Sequence, residues 1–147
     1  MIGGAVRVTG FVVALVAITT GVTACVKAPT SPAGVVPFTQ TDLVVGTGAE
    51  AATGAIVTVN YTGWLYSSSA VESKGPQFDT SLGTTPLSFT LGAGQVIAGW
   101  DLGVPGMKVG GRRRLIIPPS YGYGGIRSGI IPPYGTLLFE IELLEVQ

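Results

Sequence analysis

PLSFTLGAGQVIAGW, Pro86 to Trp100, carries two signals that together decide the architecture. Over its first residues Leu87, Phe89 and Leu91 alternate with Ser88 and Thr90, the period-two pattern of a strand with one wet and one buried face. Beyond the glycines at 92 and 94 the period changes, and Val96, Ile97 and Trp100 fall on one face of a short helical turn expected over Gln95 to Gly103. That turn is too short to stand alone and contains Gly99, so its formation depends on what packs around it. Taken singly its apolar face suits a core; bounded by glycines, it also suits the floor of a ligand site.

The flanking sequence supplies what the turn must cover. Ile56 to Thr62 (IVTVNYT) is rich in β-branched and aromatic residues, with Val57, Val59 and Tyr61 on one face. Leu115 and Ile117, then Leu137, Phe139, Ile141 and Leu143, repeat the alternation, while Glu140 and Glu142 occupy the other face of the last strand. A sheet wet on one side needs a cover on the other, and Gln95 to Gly103 is the one good helical candidate. The expected class is therefore α+β, a curved antiparallel β-sheet wrapped around one short α-helix. Tyr66 to Gln77 reads as a surface loop or irregular edge excursion. Tyr121 to Gly129 reads as a second loop leading into Ile130-Ile131-Pro132-Pro133, which Pro133 keeps out of the central strands.

The chain of 147 residues has room for one domain, expected over residues 42–147. Eight Lys and Arg balance eight Asp and Glu, so no global field selects nucleic acid. Residues 1–24 read as an export signal, with Arg7 as the positive flank and Phe11 to Thr20 as an apolar run shorter than the ~20 residues a spanning helix needs. Val22-Thr23-Ala24-Cys25 fits a bacterial lipobox, which makes Cys25 the lipidation site and places the protein outside the cytoplasm, anchored to the cell membrane. Cys25 is the sole cysteine, and lipidation accounts for a thiol that an exported chain would otherwise leave free. The alternative is an ordinary secretory signal with an accidental cysteine. Residues 25–41 are rich in Pro, Thr, Ser and Ala and read as a tether with a reach on the order of 20 to 25 Å.

The absence of histidine removes Ser-His-Asp and Cys-His catalysis and the usual zinc sites, and no metal or cofactor is expected. Gly92-Ala93-Gly94 lacks the βαβ context and the Gly-Lys-Ser/Thr of a phosphate loop. Arg112-Arg113-Arg114 opens a strand whose alternation aims Arg113 inward, unless it snorkels or pairs with an acid. We read the run as a solvated strand end, with anionic lipid headgroups as the alternative contact.

Together with Val59-Asn60-Tyr61-Thr62-Gly63, Phe78-Asp79-Thr80-Ser81, Pro118-Pro119-Ser120-Tyr121-Gly122-Tyr123-Gly124 and Gly129-Ile130-Ile131-Pro132-Pro133, the opening stretch closely resembles the FKBP family of peptidyl-prolyl cis-trans isomerases. The blocks occur in family order from about Leu43 to Gln147. The resemblance implies rotation of Xaa-Pro bonds in exported proteins without covalent chemistry, by a monomer, with proline-containing polypeptides as substrates and macrolides as further ligands. It implies that Trp100 floors a pocket walled by Tyr61, Phe78, Leu87, Val96, Ile97 and Phe139. It makes the Ile97 N–H and the Tyr123 hydroxyl donors to substrate, and Ile130 and Ile131 a loop leaning over the bound proline. Asp79 is implied at the pocket rim or wall; from the sequence alone it can equally cap a turn with Thr80 and Ser81. Tyr121 is read as a packing residue whose hydroxyl meets a backbone partner. Leu87 stands where the family usually has Phe, and the loop Gly124 to Gly129 is one residue shorter than usual. The competing function is a non-catalytic proline-binding or chaperone module of the cell envelope.

Overall fold

The computed structural model describes residues 34–147; the export segment, Cys25 and the tether as far as residue 33 lie outside the described residues. Six strands, β1 (Thr39–Val44), β2 (Ile56–Tyr66), β3 (Lys74–Thr80), β4 (Leu87–Thr90), β5 (Arg112–Ile117) and β6 (Leu137–Val146), form one sheet. The order is β1-β5-β6-β2-β3 with β4 also against β2, and every pairing is antiparallel. β2 serves two partners along one edge: Ile56 to Val59 pair with β4, and Thr62 to Tyr66 with β3. The single α-helix among the described residues, α1 (Ala98–Gly103), packs on β5. The expected antiparallel sheet with one short helix is thus observed.

Alternation places the core as read. Val57, Val59, Phe89, Leu115, Ile117, Leu137, Ile141 and Leu143 are buried in one cluster with Trp100 and Val104 of the helix segment. Leu138 is also fully buried, but on the outer row with Glu140 and Glu142, between its register partners Trp64 and Ile116. That face is therefore wet only in part.

Contact between α1 and β5 is backbone-close because Gly99 and Gly103 face the strand. A methyl group at Gly99 would lie 2.6 Å from Ile117 Cγ2, and one at Gly103 2.6 Å from Leu115 Cδ2. Both neighbours are fully buried and have no free space into which to turn.

Four expectations are corrected. Ordered pairing begins at Thr39, which faces Ile116, and Phe38 packs against the core, so the domain starts ahead of residue 42. The helix starts at Ala98 rather than Gln95, because Ile97 is its N-cap with extended backbone (φ −61°, ψ 148°). Tyr66 to Gln77 is more regular than a loop: β2 reaches Tyr66, a 3-10 turn spans Val71–Ser73, and β3 returns with register shifts against β2.

The arginine run is paired rather than simply solvated. Arg113 is buried and joins Asp42 of β1 through Nε to Oδ1 at 2.6 Å and Nη2 to Oδ2 at 3.2 Å. Arg114 donates to Glu140 at 2.7 Å, and Lys74 approaches the same carboxylate at 3.0 Å. Burial pushes the Glu140 carboxyl up, but hydrogen bonds from Arg114 and Lys74 outweigh it and leave the pKa below the ordinary glutamate value.

Replacing Gly99 with alanine should destabilise the domain despite alanine's better helix propensity. Propensity gains at most about 1 kcal/mol, whereas overpacking a closed core costs roughly 1 to 3 kcal/mol. Urea unfolding should show a lower midpoint for Gly99→Ala; an unchanged or raised midpoint would contradict the close contact with Ile117.

Candidate active site

Trp100 sits on α1 at 3% exposure, with aromatic rings on three sides. Tyr61 of β2 meets it edge-on at 5.0 Å and 77°, Phe139 of β6 at 5.2 Å and 90°, and Phe89 of β4 at 5.7 Å and 52°. Phe78 of β3 meets Phe139 at 5.4 Å and 87°. The three near-perpendicular pairs, Tyr61–Trp100, Phe139–Trp100 and Phe78–Phe139, add roughly 0.5 to 1.5 kcal/mol each beyond their burial, so the rings hold one another in place. Gly63 makes room for them: a methyl group there would lie 2.7 Å from the rings of both Phe78 and Phe139. The indole Nε1 of Trp100 is buried without a hydrogen-bond partner among the described residues.

Above this floor opens a cavity of about 430 Å³. Tyr61, Phe78, Leu87, Val96, Ile97, Trp100 and Phe139 line it, joined by Asp79 and Tyr123. Gly94 and Gln95 also line it and were not anticipated.

The polar rim is organised by hydrogen bonds within the chain. The Tyr61 hydroxyl donates to Asp79 Oδ2 at 2.7 Å, and Asp79 Oδ1 accepts the Thr80 N–H at 2.8 Å. Asp79 thus lines the cavity wall from within β3, and the turn that follows is closed instead by the Thr84 N–H donating to Ser81 O at 3.0 Å. Where β3 gives way to β4 along β2, Ser81 substitutes for a strand partner: its Oγ accepts the Tyr61 N–H at 2.9 Å and donates to Asn60 Oδ1 at 3.0 Å. Burial, then the hydrogen bond to Asp79 and its charge, push the Tyr61 pKa up to about 12. The phenol stays protonated and remains a donor throughout the physiological range.

The rim loop between β4 and α1 is fixed at two points. Gln95 Oε1 accepts the Thr90 N–H at 2.8 Å. Asp101, in the first turn of α1, accepts the Gly92 N–H at 2.8 Å and the Gly94 N–H at 3.1 Å. Gly92 and Gly94 both have positive φ, 81° and 70°, which turns their amides toward that carboxylate. In the Gly92-Ala93-Gly94 run set aside as a phosphate cradle, the two glycine amides therefore hold the chain's own Asp101, while the Ala93 N–H donates to Thr90 O at 3.3 Å. A carboxylate three residues inside a helix start, preceded by two glycines, is the sequence signal that would have found it. Ile97, at the end of this loop, has a backbone N–H with no partner among the described residues.

Two residues are not where the resemblance put them. Ile131 is 3% exposed and belongs to the core cluster, so it does not lean over the cavity. Ile130 is 56% exposed but lies outside the cavity lining. Ser128 and Ile131 exchange backbone hydrogen bonds, a tight turn that sends consecutive isoleucines to opposite sides. Tyr121 packs on Phe38 at 5.8 Å, and its hydroxyl has no hydrogen bond among the described residues.

Comparison with known proteins decides the family. The family described as FKBP-type peptidyl-prolyl cis-trans isomerase matches residues 48–144. The chain belongs to that family. An FK506-binding protein of Neisseria meningitidis serogroup B is 52% identical over 107 residues, covering 71% of this chain and 92% of the relative. The crystal structure of AtFKBP13 superposes with a TM-score of 0.62 at 38% identity, covering 75% of this chain and 93% of that one. That of FkpA from Escherichia coli gives the same score and identity, but this chain spans only 48% of its length. As an FKBP-type isomerase the protein falls in the peptidyl-prolyl cis-trans isomerase class of enzymes.

The Tyr61 to Asp79 hydrogen bond has a pH signature. Because the folded pKa is raised from 10.0 to about 12, its contribution to stability is fully present below pH 10 and is lost as pH rises through 12. Tyr61→Phe should lose about 1 kcal/mol at neutral pH and should show a flatter stability profile between pH 10 and 12. Urea titrations across that range test it; identical alkaline profiles for the two proteins would show that the hydroxyl is not so held.

Proposed function

We propose that the cavity catalyses rotation about Xaa-Pro bonds by favouring the twisted amide over the planar one. The observation that carries this is the cavity's composition: a floor and walls of packed aromatic and aliphatic groups, with a few fixed polar groups on one side. The barrier to rotation, ~18 to 20 kcal/mol, comes from amide resonance. A twisted bond has lost part of its carbonyl dipole, so a site that sheds water favours it relative to the planar ground state.

The proline ring rests on Trp100 between Tyr61, Phe78 and Phe139. The unpartnered Ile97 N–H takes one substrate carbonyl, and the Tyr123 hydroxyl, at the cavity edge, takes a second. Asp79 holds the Tyr61 ring in orientation and places a carboxylate beside the bond that turns. A thousandfold acceleration requires only about 4 kcal/mol of such differential binding, within reach of a few hydrogen bonds and one desolvated ring.

The substrates we propose are proline-containing polypeptides refolding after export. The apolar run before Cys25, and the lipobox fit of Cys25 itself, support an extracytoplasmic, lipid-anchored protein. Macrolide binding, named for the Neisseria relative, extends to this cavity on the same apolar lining. A second reading, binding without turnover as a chaperone, is favoured by the apolar residues exposed near the loops: Leu82, Ile126, Ile130 and Tyr134.

An exchange or protease-coupled assay on Xaa-Pro peptides separates the two. We expect the purified domain to accelerate isomerisation and Tyr123→Phe to retain roughly a fifth of the rate, the effect of losing about 1 kcal/mol. Peptide binding with no acceleration by the parent protein would select the chaperone reading instead. For the anchor, Cys25→Ala should move the protein from the membrane fraction to the soluble fraction; unchanged fractionation would remove lipidation from the proposal.

A further inference from the structure

Among the described residues, Arg113 is the one buried side chain carrying a full charge, and it touches no part of the cavity. Its Nη1 donates to Gly103 O at 2.8 Å and to Pro105 O at 3.0 Å, the carbonyls at and just beyond the end of α1. Its Nε and Nη2 grip both oxygens of Asp42 in β1. Such a buried guanidinium is costly to desolvate, and leaving it unpaired costs far more, so Asp42 is integral to the arrangement. A lysine's single ammonium cannot serve two carbonyls and a bidentate carboxylate together, whereas the planar fork of arginine can.

We infer that Arg113 is a positioning residue of the isomerase site, setting the seat of Trp100 by holding the C-terminal end of α1, with Asp42 completing the clamp. The inference rests on the isomerase reading above. α1 has six residues and makes too few internal hydrogen bonds to define its own place. Its last carbonyls are the groups such a helix leaves without partners. Arg113, Leu115 and Ile117 form one inward row of β5: Ile117 receives Gly99, Leu115 receives Gly103, and Arg113 takes the carbonyls that follow. Two points of this row fix the helix by contact, and contact alone permits sliding along the strand. The third fixes it by directional bonds. Trp100 stands one turn before that end, its carbonyl accepting the Val104 N–H at 2.9 Å. A shift of α1 along the strand therefore moves the floor of the cavity directly. Through Asp42, the seat of Trp100 also depends on the docking of β1, the first strand among the described residues.

The test uses a Trp64→Phe background, in which indole emission reports Trp100 alone, since the chain has two tryptophans. Arg113→Met and Asp42→Asn are compared with the background protein and with Arg112→Gln, a change at the exposed neighbour. In variants that keep the sheet signal of the native fold, we expect shifted Trp100 emission and about a tenfold fall in kcat, with KM altered less. Arg113→Lys should recover part of both, and Arg112→Gln should match the background. Native emission and native kcat in a folded Arg113→Met or Asp42→Asn protein would overturn the inference, even if its melting temperature fell. If Arg113→Met does not fold, Asp42→Asn decides, because it keeps the guanidinium and removes only its counter-charge. Should the background protein lack isomerase activity, the functional reading fails while the emission shift still decides the role of Arg113.

Discussion

The structure depends on how closely α1 lies on β5. Gly99 and Gly103 permit backbone-close contact with Ile117 and Leu115, and the helix brings Trp100 down among Tyr61, Phe89 and Phe139. A bulkier contact would lift the helix and part the indole from the rings that enclose it. The cavity floor is thus a by-product of core packing, and the same residues fill the core and face the ligand space.

Polar side chains fix the irregular backbone around that floor. Gln95 and Asp101 hold the loop before α1, and Ser81 replaces a missing strand partner at Tyr61. None of these segments has a sheet ladder of its own, yet each carries a residue that lines the cavity or borders one that does. Buried or half-buried backbone groups need partners, and here short side chains a few residues away provide them.

Much of this was legible in the sequence because alternation at period two is a strong signal when one face is buried. Val57, Val59, Phe89, Leu115, Ile117 and Leu143 fell where the pattern put them. The cavity lining from Tyr61 to Phe139 came instead from quoted motifs, since any one of those aromatics is equally a good core residue. What stayed hidden has a particular cause at each place. Ile130 and Ile131 are alike in composition, and only the Ser128 to Ile131 turn separates an exposed side chain from a buried one. The start of β1 could not be read because Thr39, Gln40 and Thr41 are exposed, and their pairing with β5 is a main-chain matter that leaves no hydrophobic trace. Arg113 was aimed inward by alternation, but its carboxylate partner lies 71 residues away, a pairing no local pattern encodes.

That turn at Ser128 has a further consequence. The segment bearing Ile126 and Ile130 is an arch closed at both ends: Ile131 is sunk in the core, and the Tyr134 N–H reaches back to Gly124 O at 2.7 Å. Its exposed apolar side chains are held before anything arrives, so little conformational entropy remains for the arch to lose on contact. The ordering cost of an encounter falls on the incoming chain. At such a preformed edge an extended, stiff proline-rich segment would lose less entropy than a flexible one.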